Sequence, residues 1–127
     1  MVQAYARTNA LIMRAGTAQP EEGSEHYWAY NLERLTERHF VHGELICLGS
    51  WLMATLQENA PRRVRRIAET AGVQFQLGDL EISAAELRES LSTLRAFVEE
   101  EGHLYSVVNE RPITPQFVEQ VIGALAF

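Results

Sequence analysis

Apolar residues recur along most of the chain at the three- and four-residue spacing of an α-helix, and glycine or proline separates one repeat from the next. The first repeat begins at Val2 and ends at Gly16. The last begins at Thr114-Pro115, where a capping hydroxyl precedes a first-turn proline. This pattern predicts an all-α fold, a single helical bundle over residues 1–127 with about five to seven helices.

The helix predicted to begin at His42 and to reach Asn59 is apolar around nearly its whole circumference, as in the buried centre of a bundle. Within it, Gly43 and Gly49 would permit close approach by a neighbouring element or by a ligand. A fourth helix is predicted to begin at Pro61, and its inward stripe consists of Val64, Ile67, Ala68 and Ala71. A capping box, Ser83-Ala84-Ala85-Glu86, is predicted to open one helix that continues to Gly102.

Charge and composition narrow the classes of function. The net charge of −6 argues against nucleic acid or an anionic membrane as the main partner, because both require a concentrated positive face. Lone Cys47 lies in an apolar run and is interpreted as a small core residue. No stretch resembles a signal peptide or a membrane span, so we expect a cytoplasmic protein.

Two histidines have the spacing of metal ligands. His26 ends the motif Gly23-Ser24-Glu25-His26, and His42 begins His42-Gly43-Glu44, sixteen positions later. Each lies near a predicted helix start, where the helix dipole disfavours a cation and so favours neutral imidazole. Neutral imidazole is the form that binds a metal ion.

The stretch from Ala10 to Gly49, which contains both motifs, resembles the metal-binding core of the iron-containing alcohol dehydrogenase and dehydroquinate synthase superfamily. It is most similar to the sn-glycerol-1-phosphate dehydrogenase and glycerol dehydrogenase branches. The resemblance implies a dehydroquinate-synthase-like C-terminal helical domain. It also implies that His26 and His42 hold zinc or iron(II) together with a carboxylate, and that an open position binds a substrate hydroxyl.

Two parts of that family pattern are missing from the sequence. The carboxylate ligand has no counterpart, since the single aspartate, Asp79, lies far downstream in a different context. No glycine-rich turn follows a strand, so we expect no NAD(P) site and assign no catalytic residue in this chain.

Other polar residues could contribute to the site. Glu25 and Glu44 either orient the two imidazoles or simply provide favourable charge in the first turn of a helix. A local cluster of His39, His42 and Glu44 is an alternative that needs no second chain. His103 could be a further polar group near the cleft. The arginine run at residues 62–66 is interpreted as a solvated helix face, with an acidic partner as the minority alternative.

Two hypotheses of function follow from the resemblance. In the first, the chain is a non-catalytic binding or interaction module that retains the metal- and polyol-binding half of such an enzyme. In the second, it is a subunit of a split dehydrogenase, completed by a separate nucleotide-binding chain. Loss of the nucleotide-binding domain would expose apolar surface around the histidines, so we expect a homodimer formed through that face or through neighbouring helices.

Overall fold

The computed structural model describes residues 2–125, and the helices found in that range confirm the all-α prediction. Eight helices are present there, one more than the upper end of the expected number. In chain order they are α1 (Val2–Ala15), α2 (Ser24–Thr36), α3 (His42–Leu56), α4 (Pro61–Thr70), α5 (Ala84–Ser92), α6 (Leu94–Glu100), α7 (Val107–Glu110) and α8 (Pro115–Leu125).

The helix predicted from Ser83 to Gly102 is divided at Thr93 into α5 and α6. The buried side-chain amide of Asn31 on α2 donates to the Ser90 carbonyl oxygen at 2.8 Å and to the Thr93 hydroxyl at 2.9 Å. That carbonyl is the acceptor that a continuous helix would offer to Leu94. A tertiary hydrogen bond therefore replaces part of the helical ladder, and sequence periodicity does not reveal it.

Helices α2 and α3 form the centre of the molecule, and α2 also packs against α5 and α6. The apolar character of α3 is explained by its burial, although the helix ends at Leu56 rather than at Asn59. One hydrophobic core joins α2 to the helices that follow it. Its fully buried side chains include Trp28, Leu32, Leu45, Leu48, Leu52, Leu87, Leu91, Leu94, Val98, Val108, Val121 and Leu125.

Gly49 sets the separation between α2 and α3. A Cβ atom placed on it would lie 2.8 Å from the Glu25 carbonyl oxygen and 3.2 Å from Cε3 of Trp28. Any side chain there would therefore push the two helices apart. The predicted close approach of a neighbour is confirmed at Gly49. At Gly43 an added Cβ would meet nothing within 4 Å, so no neighbouring element approaches there, and approach by a ligand stays a prediction.

Two helices are less buried than their patterns suggest. In α4 only Ala68 is buried, and the prediction that Ile67 faces inward is wrong, since 59% of its surface is exposed. Helix α1 contains no buried residue, and Val2, Tyr5, Leu11 and Met13 are all exposed. Within residues 2–125, no helix is long and apolar enough to cross a membrane.

Candidate metal-binding site

The fold brings the two motif histidines together. The ring centroids of His26 and His42 are 5.2 Å apart, with an angle of 48° between the ring planes. His26 lies in the first turn of α2 and is only 8% exposed, whereas His42 is exposed at the first position of α3. The close contact of α2 with α3 at Gly49, two turns after His42, holds the two helix starts side by side.

Glu25 orients the His26 ring through a side-chain contact. Its carboxylate Oε1 accepts a hydrogen bond from the Gly23 backbone N–H at 2.9 Å and lies 3.0 Å from Nδ1 of His26. Because a carboxylate can only accept, Nδ1 must hold the proton in this pair. In the neutral ring the free lone pair is then on Nε2, and this carboxylate–histidine arrangement is typical of metal-ligating histidines.

Tyr30 lies beside the histidine pair and was not identified from the sequence. Its ring centroid is 6.0 Å from that of His26 and 6.3 Å from that of His103. Burial raises the pKa of the Tyr30 phenol, and the nearby Glu22 carboxylate raises it further. One signal was available, because Tyr30 follows His26 by four residues and therefore shares its face of α2.

His103 extends this aromatic cluster to Tyr27 and Phe97. Its ring stacks on Tyr27, with centroids 4.3 Å apart and an interplanar angle of 17°, and lies 5.4 Å from Phe97. Burial raises the pKa of the Tyr27 phenol, with a smaller contribution from the Glu25 charge. His103 therefore packs against α2, and its role as a further polar group near the cleft stays a prediction.

Glu44 and His39 share a cavity whose lining includes neither His26 nor His42. Both line a shallow cavity of about 380 Å³ beside Arg38, Asp79 and Glu81. The His39 side chain is 97% exposed and lies 3.7 Å from a Glu33 carboxylate oxygen. Across residues 2–125 no hydrogen bond joins Glu44 to His42, so the structure does not bring Glu44 to His42 as it brings Glu25 to His26.

The donor atoms at the site suit a borderline-soft divalent ion. Imidazole nitrogen binds zinc and iron(II) well. Because Glu25 and burial already hold the His26 ring in place, metal binding would cost less side-chain entropy there. In the part of the chain that the structure describes, no group of three or more potential ligands converges. Two imidazoles alone leave most of the coordination sphere of an ion to water, substrate or another segment.

Comparison with known proteins identifies the relatives of the chain. No family model matches it. Over 99 residues, 76% of the chain, it is 41% identical to the glycerol-1-phosphate dehydrogenase (NAD(P)+) of Pyrobaculum aerophilum. The enzymes of the same name from Aeropyrum pernix and Sulfolobus acidocaldarius are 28% and 26% identical over 94% and 95% of the chain. The chain is homologous to part of the glycerol-1-phosphate dehydrogenases.

The chain matches only a part of each relative. The matched region is 29% of the Pyrobaculum aerophilum protein, 33% of the Aeropyrum pernix protein and 34% of the Sulfolobus acidocaldarius protein. The chain thus spans about a third of the length of the curated relatives it matches, consistent with a C-terminal fragment of that family. The predicted resemblance is confirmed at this level.

Proposed function

We propose that this chain is the metal-holding helical part of a glycerol-1-phosphate dehydrogenase-like protein, with His26 and His42 as two ligands of one zinc or iron(II) ion. The observation that supports the proposal most strongly is the 5.2 Å separation of the two rings, one of them oriented by a carboxylate. Two protonated imidazoles at this separation repel each other, whereas a shared metal cation is bound by both rings in their neutral form.

The residues around the pair suit a small polyol. A bound divalent ion would act as a Lewis acid toward a substrate hydroxyl. Tyr30 supplies a neutral phenol beside His26, because the ordinary phenol pKa of about 10 already lies above the physiological range and burial raises it further. Glu25 keeps the proton on Nδ1 of His26, which leaves Nε2 available.

By itself the chain acts as a binding module in this proposal. The relatives are named as NAD(P)+-dependent enzymes, yet the matched region is only about a third of their length. The third ligand and the nucleotide site would then come from sequence outside the matched region. The alternative that this coverage also supports is a subunit of a split dehydrogenase, in which a separate nucleotide-binding chain supplies both.

Calorimetric titration with Zn²⁺ tests the proposal. We expect one ion per chain, with binding weakened at least about tenfold by His26→Ala and by His42→Ala. His39→Ala is the matched control, because His39 is the exposed histidine three residues before His42. Equal loss of affinity in all three variants, or no loss in the first two, would reject a shared site at this pair.

A further inference from the structure

The segment that follows α6 leaves that helix in a defined direction. Gly102 has a φ of 67°, which favours glycine, and its backbone N–H donates to the Glu99 carbonyl oxygen at 3.3 Å. The His103 N–H donates to the Val98 carbonyl oxygen at 3.0 Å. These two hydrogen bonds form a Schellman motif, which fixes where the chain leaves α6. Residues 102–105 are called the strap below.

The strap contacts the first turns of α2 through the ring of His103. That ring is stacked on Tyr27, with centroids 4.3 Å apart, and its centroid is 6.3 Å from that of Tyr30. Phe97 of α6 lies 5.4 Å from the same ring. Tyr27 directly follows His26 in the chain, and the Tyr30 centroid is 6.0 Å from that of His26. His103 is therefore connected to His26 through two aromatic side chains of α2.

A second contact joins the strap to the loop before α2. The side-chain amide of Gln19 donates to the Tyr105 carbonyl oxygen at 2.6 Å. The backbone N–H groups of Glu21 and Glu22 both donate to the Ala18 carbonyl oxygen at 2.8 Å, so this loop forms a compact turn that leads directly into α2. The strap thus contacts both the first turns of α2 and the turn that precedes them.

The start of α2 depends on such contacts because its capping is incomplete. Its N-cap residue is Gly23, which has no side chain to accept a hydrogen bond from the first turn. The Gly23 N–H donates to Oε1 of Glu25 at 2.9 Å, and the same oxygen lies 3.0 Å from Nδ1 of His26. A shift of the helix start would therefore move this carboxylate relative to the imidazole.

We propose that the strap positions His26 for metal binding, with His103 as a positioning residue that acts through Tyr27 and Tyr30. This inference rests on the proposed metal site, because it assigns the strap a role at that site. Stacking on His103 holds the start of α2, and the fixed helix start preserves the contact between Glu25 and His26 that leaves Nε2 free. In this role His103 acts as an aromatic ring, so neither its charge nor its nitrogen atoms are required.

Nitrogen NMR of the His26 ring in the zinc-free chain tests this role without relying on metal binding. At a pH where the ring is neutral, we expect the proton on Nδ1 in the wild-type chain and a smaller Nδ1-protonated fraction in His103→Ala. His103→Phe keeps a stacking ring and should retain the wild-type signal. Phe117→Ala is the matched control, because it removes a partly buried aromatic ring from α8, which packs against α5.

Zinc titration of the same variants measures the consequence for binding. His103→Ala should weaken zinc binding at least about threefold, which is the scale of one aromatic pair. Gln19→Ala releases the strap from the turn before α2 and should change the His26 signal and the zinc affinity in the same direction. His103→Phe and Phe117→Ala should bind zinc as the wild-type chain does.

Three results would overturn the inference. The first is a wild-type His26 ring without the proton on Nδ1, or a folded His103→Ala variant whose His26 signal is unchanged. The second is loss of the signal in His103→Phe, which would show that the imidazole itself is needed. The third is an equal change in Phe117→Ala, which would show a general effect of lost packing.

Two further outcomes keep the test decisive. If circular dichroism shows that His103→Ala does not fold, Gln19→Ala takes its place, and an unchanged His26 signal in that variant contradicts the inference. If the wild-type chain binds no zinc, the proposed metal site fails, whereas the His26 signal of the zinc-free variants still decides whether the strap positions the ring.

Discussion

At the scale of single residues, the contact between Glu25 and His26 is the feature that supports His26 as a proposed metal ligand. Two short motifs predicted the histidine pair, because each motif places its histidine near the start of a helix and both helix starts could be predicted from the local sequence. The neighbours Tyr30 and His103 were harder to assign. His103 reaches Tyr27 through a loop whose path depends on tertiary packing, and nothing in its local sequence records that contact.

Replacing Glu25 with glutamine should weaken metal binding without unfolding the chain. The glutamine amide no longer requires the proton on Nδ1 of His26, so the ring can adopt the tautomer that does not present Nε2 as a ligand. We expect a loss of Zn²⁺ affinity of about 10- to 100-fold by calorimetry. Glu33→Gln is the control, because Glu33 lies on the same helix as Glu25 but beside the exposed His39. Equal affinities for both variants would show that Glu25 does not orient the ligand.

At the scale of helices, the sequence predicted the features that depend on local capping signals better than those that depend on packing between helices. Both ends of α1 and the starts of α2, α5 and α8 agree with predictions from glycine, proline and capping residues, because those signals act locally. The break at Thr93 and the exposure of Ile67 were missed, since the first depends on Asn31 of another helix and the second on which side of α4 meets α3. Tertiary contacts decided both.

Gly49→Ala should destabilise the fold. The added methyl group would lie 2.8 Å from the Glu25 carbonyl oxygen, and overpacking of this kind costs about 1–3 kcal/mol, only partly offset by the better helix propensity of alanine. Urea unfolding measures the change in the free energy of unfolding. Gly43→Ala on the same helix meets no atom and should be neutral or slightly stabilising. A more stable Gly49→Ala variant would contradict the close α2–α3 contact.

Glu86 of the capping box should make stability depend on pH. Hydrogen bonds from the Ser83 backbone and hydroxyl lower its pKa, with a smaller contribution from the Arg38 charge. The stabilisation is therefore present above the unfolded-state pKa of about 4.3 and disappears as the pH falls through the lower folded-state value. Glu86→Gln should cost up to about 1 kcal/mol at neutral pH and nothing in acid.

Thermal unfolding between neutral and acid pH measures this difference. Glu89→Gln, an exposed substitution on the same helix, is the control and should leave the pH profile unchanged. If Glu86→Gln is still less stable than the wild-type chain at low pH, the loss of stability does not come from the Glu86 charge, and the prediction is contradicted.

At the scale of the whole molecule, the chain is a helical domain that matches only a part of its longer relatives. Its relatives are about three times as long, and the sequence lacks a glycine-rich nucleotide-binding turn. We therefore expect no NAD(P)-dependent oxidation of glycerol or glycerol phosphate by the purified chain, with or without added zinc. Absorbance of the reduced nicotinamide follows the reaction. Sustained cofactor reduction that His42→Ala abolishes would show that this chain contains a nucleotide site.

The central claim is that His26 and His42 hold one ion together, and zinc X-ray absorption of the zinc-loaded chain tests it most directly. The spectrum counts imidazole ligands around the metal. The account predicts two imidazoles in the wild-type chain and in His39→Ala, and one in either His26→Ala or His42→Ala. A spectrum with one imidazole or none in the wild-type chain, or one unchanged by His26→Ala and His42→Ala, would contradict it.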